Sequence, residues 1–91
     1  MKKTICTVVE SPKRITEGKF SEKESYLVTV QYDDGIKEDL VVVPELFDAA
    51  KGKRFSMRRI KCDASFVVAV KHIKLGDGSR HALAWEIDLA L

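Results

Sequence analysis

Hydrophobic and polar positions alternate along this chain in short runs broken by Gly, Pro and Asp, the period-two pattern of half-buried strands. The first run, TICTVVE at 4–10, is β-branched and predicts a strand. SPKRITEGKFSEK, 11–23, holds Pro12, Gly18 and charges of both signs, and reads as a long loop too polar to bury. YLVTVQYDDGIKEDLVVV, 26–43, predicts a hairpin, and its pattern selects the turn. A two-residue turn at Asp34 and Gly35 would set Tyr32 across from Lys37 and Val30 across from Asp39, mixing polar with apolar on one face. A three-residue loop, Asp33 to Gly35 with the glycine left-handed, pairs Tyr32 with Ile36, Val28 with Leu40 and Tyr26 with Val42. Its one mismatch is Glu38 opposite Val30.

VPELFDAAKG, 43–52, offers Pro44 at a first helical position, an apolar face of Leu46, Phe47 and Ala50, and Gly52 as a stop. It predicts a two-turn helix, too short to stand alone and therefore docked as a plug over one end of a sheet or barrel. In RFSMRRIKC, 54–62, apolar residues fall at Phe55 and Met57, then at Ile60 and Cys62, so the phase slips. A β-bulge at Arg58 and Arg59 would repair it and aim both arginines outward.

The last element, FVVAVKHIKLGDGSRHALAWEIDLAL, predicts a hairpin turning at Asp77 and Gly78 in a type I′ turn. One face then collects Phe66, Val68, Val70 and His72 against Leu89, Ile87, Trp85 and Leu83 as the main core. The other face, with Val67, Ala69, Ile73, Ala82 and Ala84, is apolar enough to be covered by another strand or a second subunit, and a homodimer is expected.

Three strands, a short helix, a further strand and a hairpin give an all-β domain with one short helix. The expected architecture is a small antiparallel barrel or strongly curved sheet with OB-like element order, an SH3-like barrel being the alternative. Ninety-one residues form a single domain, and 45% hydrophobic with 33% charged residues place it among packed globular proteins. The lysines and apolar run of MKKTICTVVE stop at Glu10, short of a signal peptide, and no stretch is long enough to span a membrane, so a cytoplasmic location is expected. Cys6 and Cys62 belong to no C-x-x-C pair and read as small buried residues without a disulfide.

Charge changes the picture most. KGKRFSMRRIK, 51–61, carries six basic side chains and no acidic one in a chain of net charge +2. Acidic residues gather elsewhere, at Asp33, Asp34, Glu38 and Asp39 and at Glu86 and Asp88, so the molecule should be electrically polar. Lys51, Lys53, Arg54, Arg58, Arg59 and Lys61 are candidate phosphate contacts, Lys13, Arg14 and Lys19 a second wall, and Phe20 a base-stacking ring. The plainer reading keeps the basic run as a solvated strand face and Phe20 as a cap on the core.

Other chemistry finds less support. His72 and His81 share a face as diagonal neighbours in the expected register, but no third metal ligand accompanies them. DDG with KED lacks calcium-loop spacing, GDGS lacks the lysine and helix of a phosphate-binding loop, and there is no nucleophile motif. No cofactor and no catalysis are expected. The functional expectation is a non-enzymatic module binding nucleic acid, single-stranded rather than duplex. A protein-interaction module, a small accessory or inhibitor protein docking on a larger protein, is the alternative.

Overall fold

A computed structural model of the chain describes residues 3–48 and 52–89. Its strands are β1 (Lys3–Val8), β2 (Lys13–Arg14), β3 (Tyr26–Tyr32), β4 (Lys37–Val42), β5 (Phe47–Asp48), β6 (Lys53–Arg54), β7 (Ser65–Lys74) and β8 (Arg80–Leu89). The five long strands close into a ring, because β1 pairs with β3 and β7, β7 with β8, and β4 with both β3 and β8. β4 joins β8 in parallel, as does β5, so the sheet is mixed rather than the antiparallel one expected.

The first hairpin has its expected register, with Val28 opposite Leu40 and Tyr26 opposite Val42. Gly35 takes a φ of 88°, and the Tyr32 N–H donates to the Ile36 carbonyl at 2.9 Å, closing the three-residue loop. Glu38, the mismatch, serves the fold. Its carboxylate accepts from the Tyr32 hydroxyl at 2.6 Å and lies 2.8 Å from His72 Nε2. The cross-strand partners of these three residues are Val30, Cys6 and Ala82, all core residues, so the trio closes the mouth of the ring at its hairpin end.

The last hairpin departs from expectation. A type I′ turn needs positive φ at both Asp77 and Gly78, and of the two only Gly78 has it, at 87°. Leu75 instead donates its N–H to the Ser79 carbonyl at 2.9 Å, closing a three-residue loop. Val70 therefore faces Ala84 rather than Trp85, until a shift between Ala69 and Val70 absorbs Trp85 as an extra residue and restores Val68 opposite Ile87. A slip of one residue exchanges the faces. Ala82 and Ala84 turn into the core, and Trp85, expected there, is 49% exposed. The ring supplies the reason. Ala82 lies directly beside Leu40 at the parallel seam, where a small inner side chain lets two strands of the narrow ring meet.

Among the described residues of the expected helix, 44–48 form a turn and a strand instead. The Leu46 N–H donates to the Val43 carbonyl at 3.1 Å, closing a turn, and the chain then runs along β8 as β5. Two helical turns are marginal, whereas β5 finds hydrogen-bonding partners on both edges, β8 and β6. Ala50 and Lys51 lie outside the described residues. The phase slip at 54–62 comes not from a bulge in a strand but from a 3-10 turn, Met57–Arg59. Its Ile60 N–H donates to the Met57 carbonyl at 3.1 Å, so the i, i+3 spacing brings Met57 and Ile60 to one side.

The core is Cys6, Val8, Val28, Val30, Leu40, Val42, Phe66, Val68, Ala82, Ala84 and Ile87 inside the ring, with Leu46, Phe55 and Ile60 plugging the end where the helix was expected. Phe55 packs edge-on against Phe66, with ring centroids 5.7 Å apart. A void of about 10 Å³ remains among these side chains, at the limit of what one water needs. The long loop is not wholly solvated. Val41 points outward between Leu40 and Val42 yet is 1% exposed, and it shares a cleft with Ile15, Phe20, Leu27 and His81. Among the described residues no helix is long and apolar enough to cross a membrane.

Candidate nucleic-acid interface

The turn at 43–46 gathers basic side chains from two distant segments. Arg14 on β2 lies over the Tyr26 ring, 5.9 Å from its centroid, and reaches the Lys23 carbonyl at 3.5 Å. Lys23 Nζ donates to Glu45 Oε1 at 2.6 Å. From the other side, Arg54 on β6 donates twice to the Pro44 carbonyl, at 3.1 and 2.8 Å. Glu45 is thereby held below the usual carboxylate range, first by the hydrogen bond from Lys23 and further by the charges of Lys23 and Arg54. Lys13 and Lys53 are exposed next to Arg14 and Arg54 in their strands. The loop region and the basic run thus approach one turn, Lys23 through Glu45 and Arg54 through Pro44.

The remaining candidates lie elsewhere. Arg58 and Lys61 are exposed on and after the 3-10 turn, beside the end of β1, where the Asp63 N–H donates to the Val8 carbonyl at 2.8 Å. Arg59 is half-buried rather than aimed outward. Lys19 and Phe20 belong to a short 3-10 segment, Lys19–Glu22, and Phe20 packs edge-on against His81, with centroids 5.3 Å apart. Phe20 is half-buried, and its ring is already engaged with His81 in the fold.

β4 separates two differently charged turns. Its first residue follows the turn that carries Asp33 and Asp34, and its last, about 17 Å away in an extended strand, precedes the turn that Lys23 and Arg54 contact, where Glu45 pairs with Lys23 and Glu24 lies 3.8 Å from Arg14. The second acidic group is neutralised in part, since Lys3 Nζ lies 2.8 Å from Asp88 and 3.7 Å from Glu86. The hydrogen bond to Asp88 raises the Lys3 pKa.

His72 and His81 do not share a face. They belong to neighbouring cross-strand pairs, His72 with Ala82 and Ile73 with His81, and successive pairs alternate. His72 meets Glu38, while His81 meets Ser79 Oγ at 3.0 Å. Among the described residues no group of three or more His, Cys, Asp or Glu converges. Both cysteines are free. Cys6 is buried, and desolvation pushes its thiol up to about 11, whereas Cys62 is exposed rather than buried, its Sγ 3.7 Å from the Val9 carbonyl.

Two residues of this surface escaped the sequence reading as functional candidates: Lys71 and Trp85. Trp85 stands outward with Lys71 Nζ 5.2 Å from its ring centroid. Its signal was the second glycine of GDG, which suits the third loop position as Gly35 does in the first hairpin. Compared with known proteins, the chain matches no family model, no curated protein and no solved structure.

Proposed function

We propose that this chain is a non-enzymatic nucleic-acid-binding module that takes single strands in preference to duplex. The observation that carries the reading is the convergence at 43–46, where Lys23 from the long loop region and Arg54 from the basic run flank one turn, with Arg14 behind Lys23 on its carbonyl. Two cationic segments distant in sequence and adjacent in space make a track for phosphates, while each alone would serve solubility.

The ring supports it by analogy. Counting only the five ring strands in chain order, the first lies beside the second and fourth, the second beside the third, and the third beside the fifth in parallel. We read that order as resembling the OB architecture, which binds oligonucleotides on its outer strands and on the loops after its first and fourth strands. The analogy sets a fold-level expectation, and the residues must carry the function. A cytoplasmic setting goes with this reading, keeping the exposed Cys62 reduced.

A second reading, a module docking on a larger protein or on its own copy, draws on the exposed Ile5 and Ile36, 44% and 60% accessible. Titration with labelled single-stranded DNA, single-stranded RNA and duplex DNA at several salt concentrations separates the two. Four phosphate contacts give a slope of log affinity against log salt near about −3 for a single strand. No binding at low salt to any of the three overturns the proposal, and a mass above the monomer in light scattering then favours the second reading.

A further inference from the structure

The geometry points to Trp85 as a stacking platform for one unpaired nucleobase, with the strand's phosphates running toward Lys71 and Arg54; this rests on the single-strand reading above. The bulge is what presents the ring. Ala84 and Ile87 both point into the core, so the two residues between them, Trp85 and Glu86, both stand outside, and the indole is 49% exposed. Burying that ring by a one-residue slip would gain several kcal/mol in an ordinary core, yet the fold leaves it in water.

Its surroundings select the occupant. Trp85 lines an open cleft of about 290 Å³ with Val43, Leu46, Leu83, Glu45 and Glu86. Its apolar walls suit the flat face of a base. The two carboxylates are already engaged, Glu45 with Lys23 at 2.6 Å and Glu86 with Lys3 at 3.7 Å, so the rim is not an anionic wall. Lys71 Nζ lies over one face of the ring, 5.2 Å from its centroid, so a base takes the other face or displaces this flexible side chain, which then has a phosphate within reach. On the far side, Glu86, Phe47 and Arg54 form one cross-strand row, which puts Arg54 on the same face two strands away, about 10 Å. Arg54 also donates to the Pro44 carbonyl, next to Val43 and Glu45 of the cleft. An aromatic face with cations on two sides is complementary to a stacked base with a phosphate on either side. A neutral apolar peptide would leave those cations unused.

The chain holds a single tryptophan, so its emission reports this site alone. The full-length protein is titrated with a fluorescently labelled oligothymidylate and with a labelled abasic strand of the same length, reading label anisotropy for binding and Trp85 emission for stacking. The expected result is quenching by the base-bearing strand and none by the abasic one. Trp85→Ala should weaken oligothymidylate binding about tenfold or more with the salt slope unchanged, while abasic binding stays as it was and Trp85→Phe keeps most of the affinity. Anisotropy that rises without quenching, with Trp85→Ala binding as tightly as the parent, overturns the stacking site and leaves the single-strand reading standing. Anisotropy that stays flat at low salt for both strands overturns both. A parent dimer that Trp85→Ala converts to monomer by light scattering assigns the ring to a second copy and overturns the inference as well.

Discussion

Trp85 and Val68 stand on neighbouring strands, and their surroundings predict opposite costs. Val68 is fully buried inside the ring, so Val68→Ala should lose about 2 kcal/mol of stability from lost transfer energy and the cavity left behind. Trp85→Ala removes a half-exposed ring that touches Lys71, and should lose under about 1 kcal/mol. Urea unfolding of both variants checks the order, and a Trp85→Ala loss above that of Val68→Ala would return the indole to the core. Cys6 makes a prediction about pH. An unfolded thiol ionises near 9.0, while burial holds the folded one protonated to about 11. Between those values the unfolded chain binds fewer protons than the folded one, so stability falls as pH rises, by about 2 kcal/mol across the window. The contribution is fully present below pH 9.0. Cys6→Val keeps the volume and removes the titration, so its urea midpoint should drop less between pH 8 and 10.5 than the parent's. Equal drops would locate the alkaline loss elsewhere, Tyr32 being the next candidate since burial and Glu38 raise its pKa too.

Among the elements, the two hairpins use one device. Each has a three-residue loop whose last residue is a left-handed glycine, Gly35 and Gly78. Each also carries an aspartate cap, Asp34 accepting from the Ile36 N–H at 3.0 Å and Asp77 from the Ser79 N–H at 2.9 Å; the second adds the Ser79 hydroxyl, which donates to Asp77 at 2.6 Å and helps hold that carboxyl below its usual range. Open space surrounds both glycines of GDG, so only backbone conformation distinguishes them. Gly78→Ala should cost about 1 to 2 kcal/mol for a side chain in the left-handed region. Gly76→Ala should change stability by less than about 0.5 kcal/mol. Thermal or urea unfolding of the two variants reads this directly, and similar losses would mean that the turn is not the three-residue one.

For the whole molecule, the two differently charged turns at the ends of β4 make an electrostatic prediction. If the two walls at 43–46 track one strand, Lys13→Gln and Lys53→Gln should each flatten the salt slope by about 0.7, and the double variant by about 1.4. Both lysines are exposed, so neither change should disturb the fold. Asp33→Asn with Asp34→Asn, at the other end of β4, should leave the slope as it is. A slope insensitive to both lysines would move the track to Arg58 and Lys61 beside the end of β1.

Much of the fold was legible because period two and turn chemistry are local. The β-branched run of β1, the alternation of β3 and β4 and the left-handed Gly35 are each settled within a few residues of chain. The last hairpin was not, since both of its faces carry apolar side chains and GDG admits either loop. Ala82 went inward and Trp85 outward because Ala82 must meet Leu40 across the parallel seam, a contact between residues 42 positions apart in sequence. The segment after Pro44 was equally undetermined: its apolar spacing suits a short helix, and only the free edge of β8 made it a strand. The candidate site divides along the same line. Local composition marked Lys23 and Arg54 as basic residues, but their meeting at one turn required the sheet to bring the long loop and β6 to the end of β4. Side-chain type is read from neighbours in sequence; which cations share a surface is set by strand pairings closed over long loops.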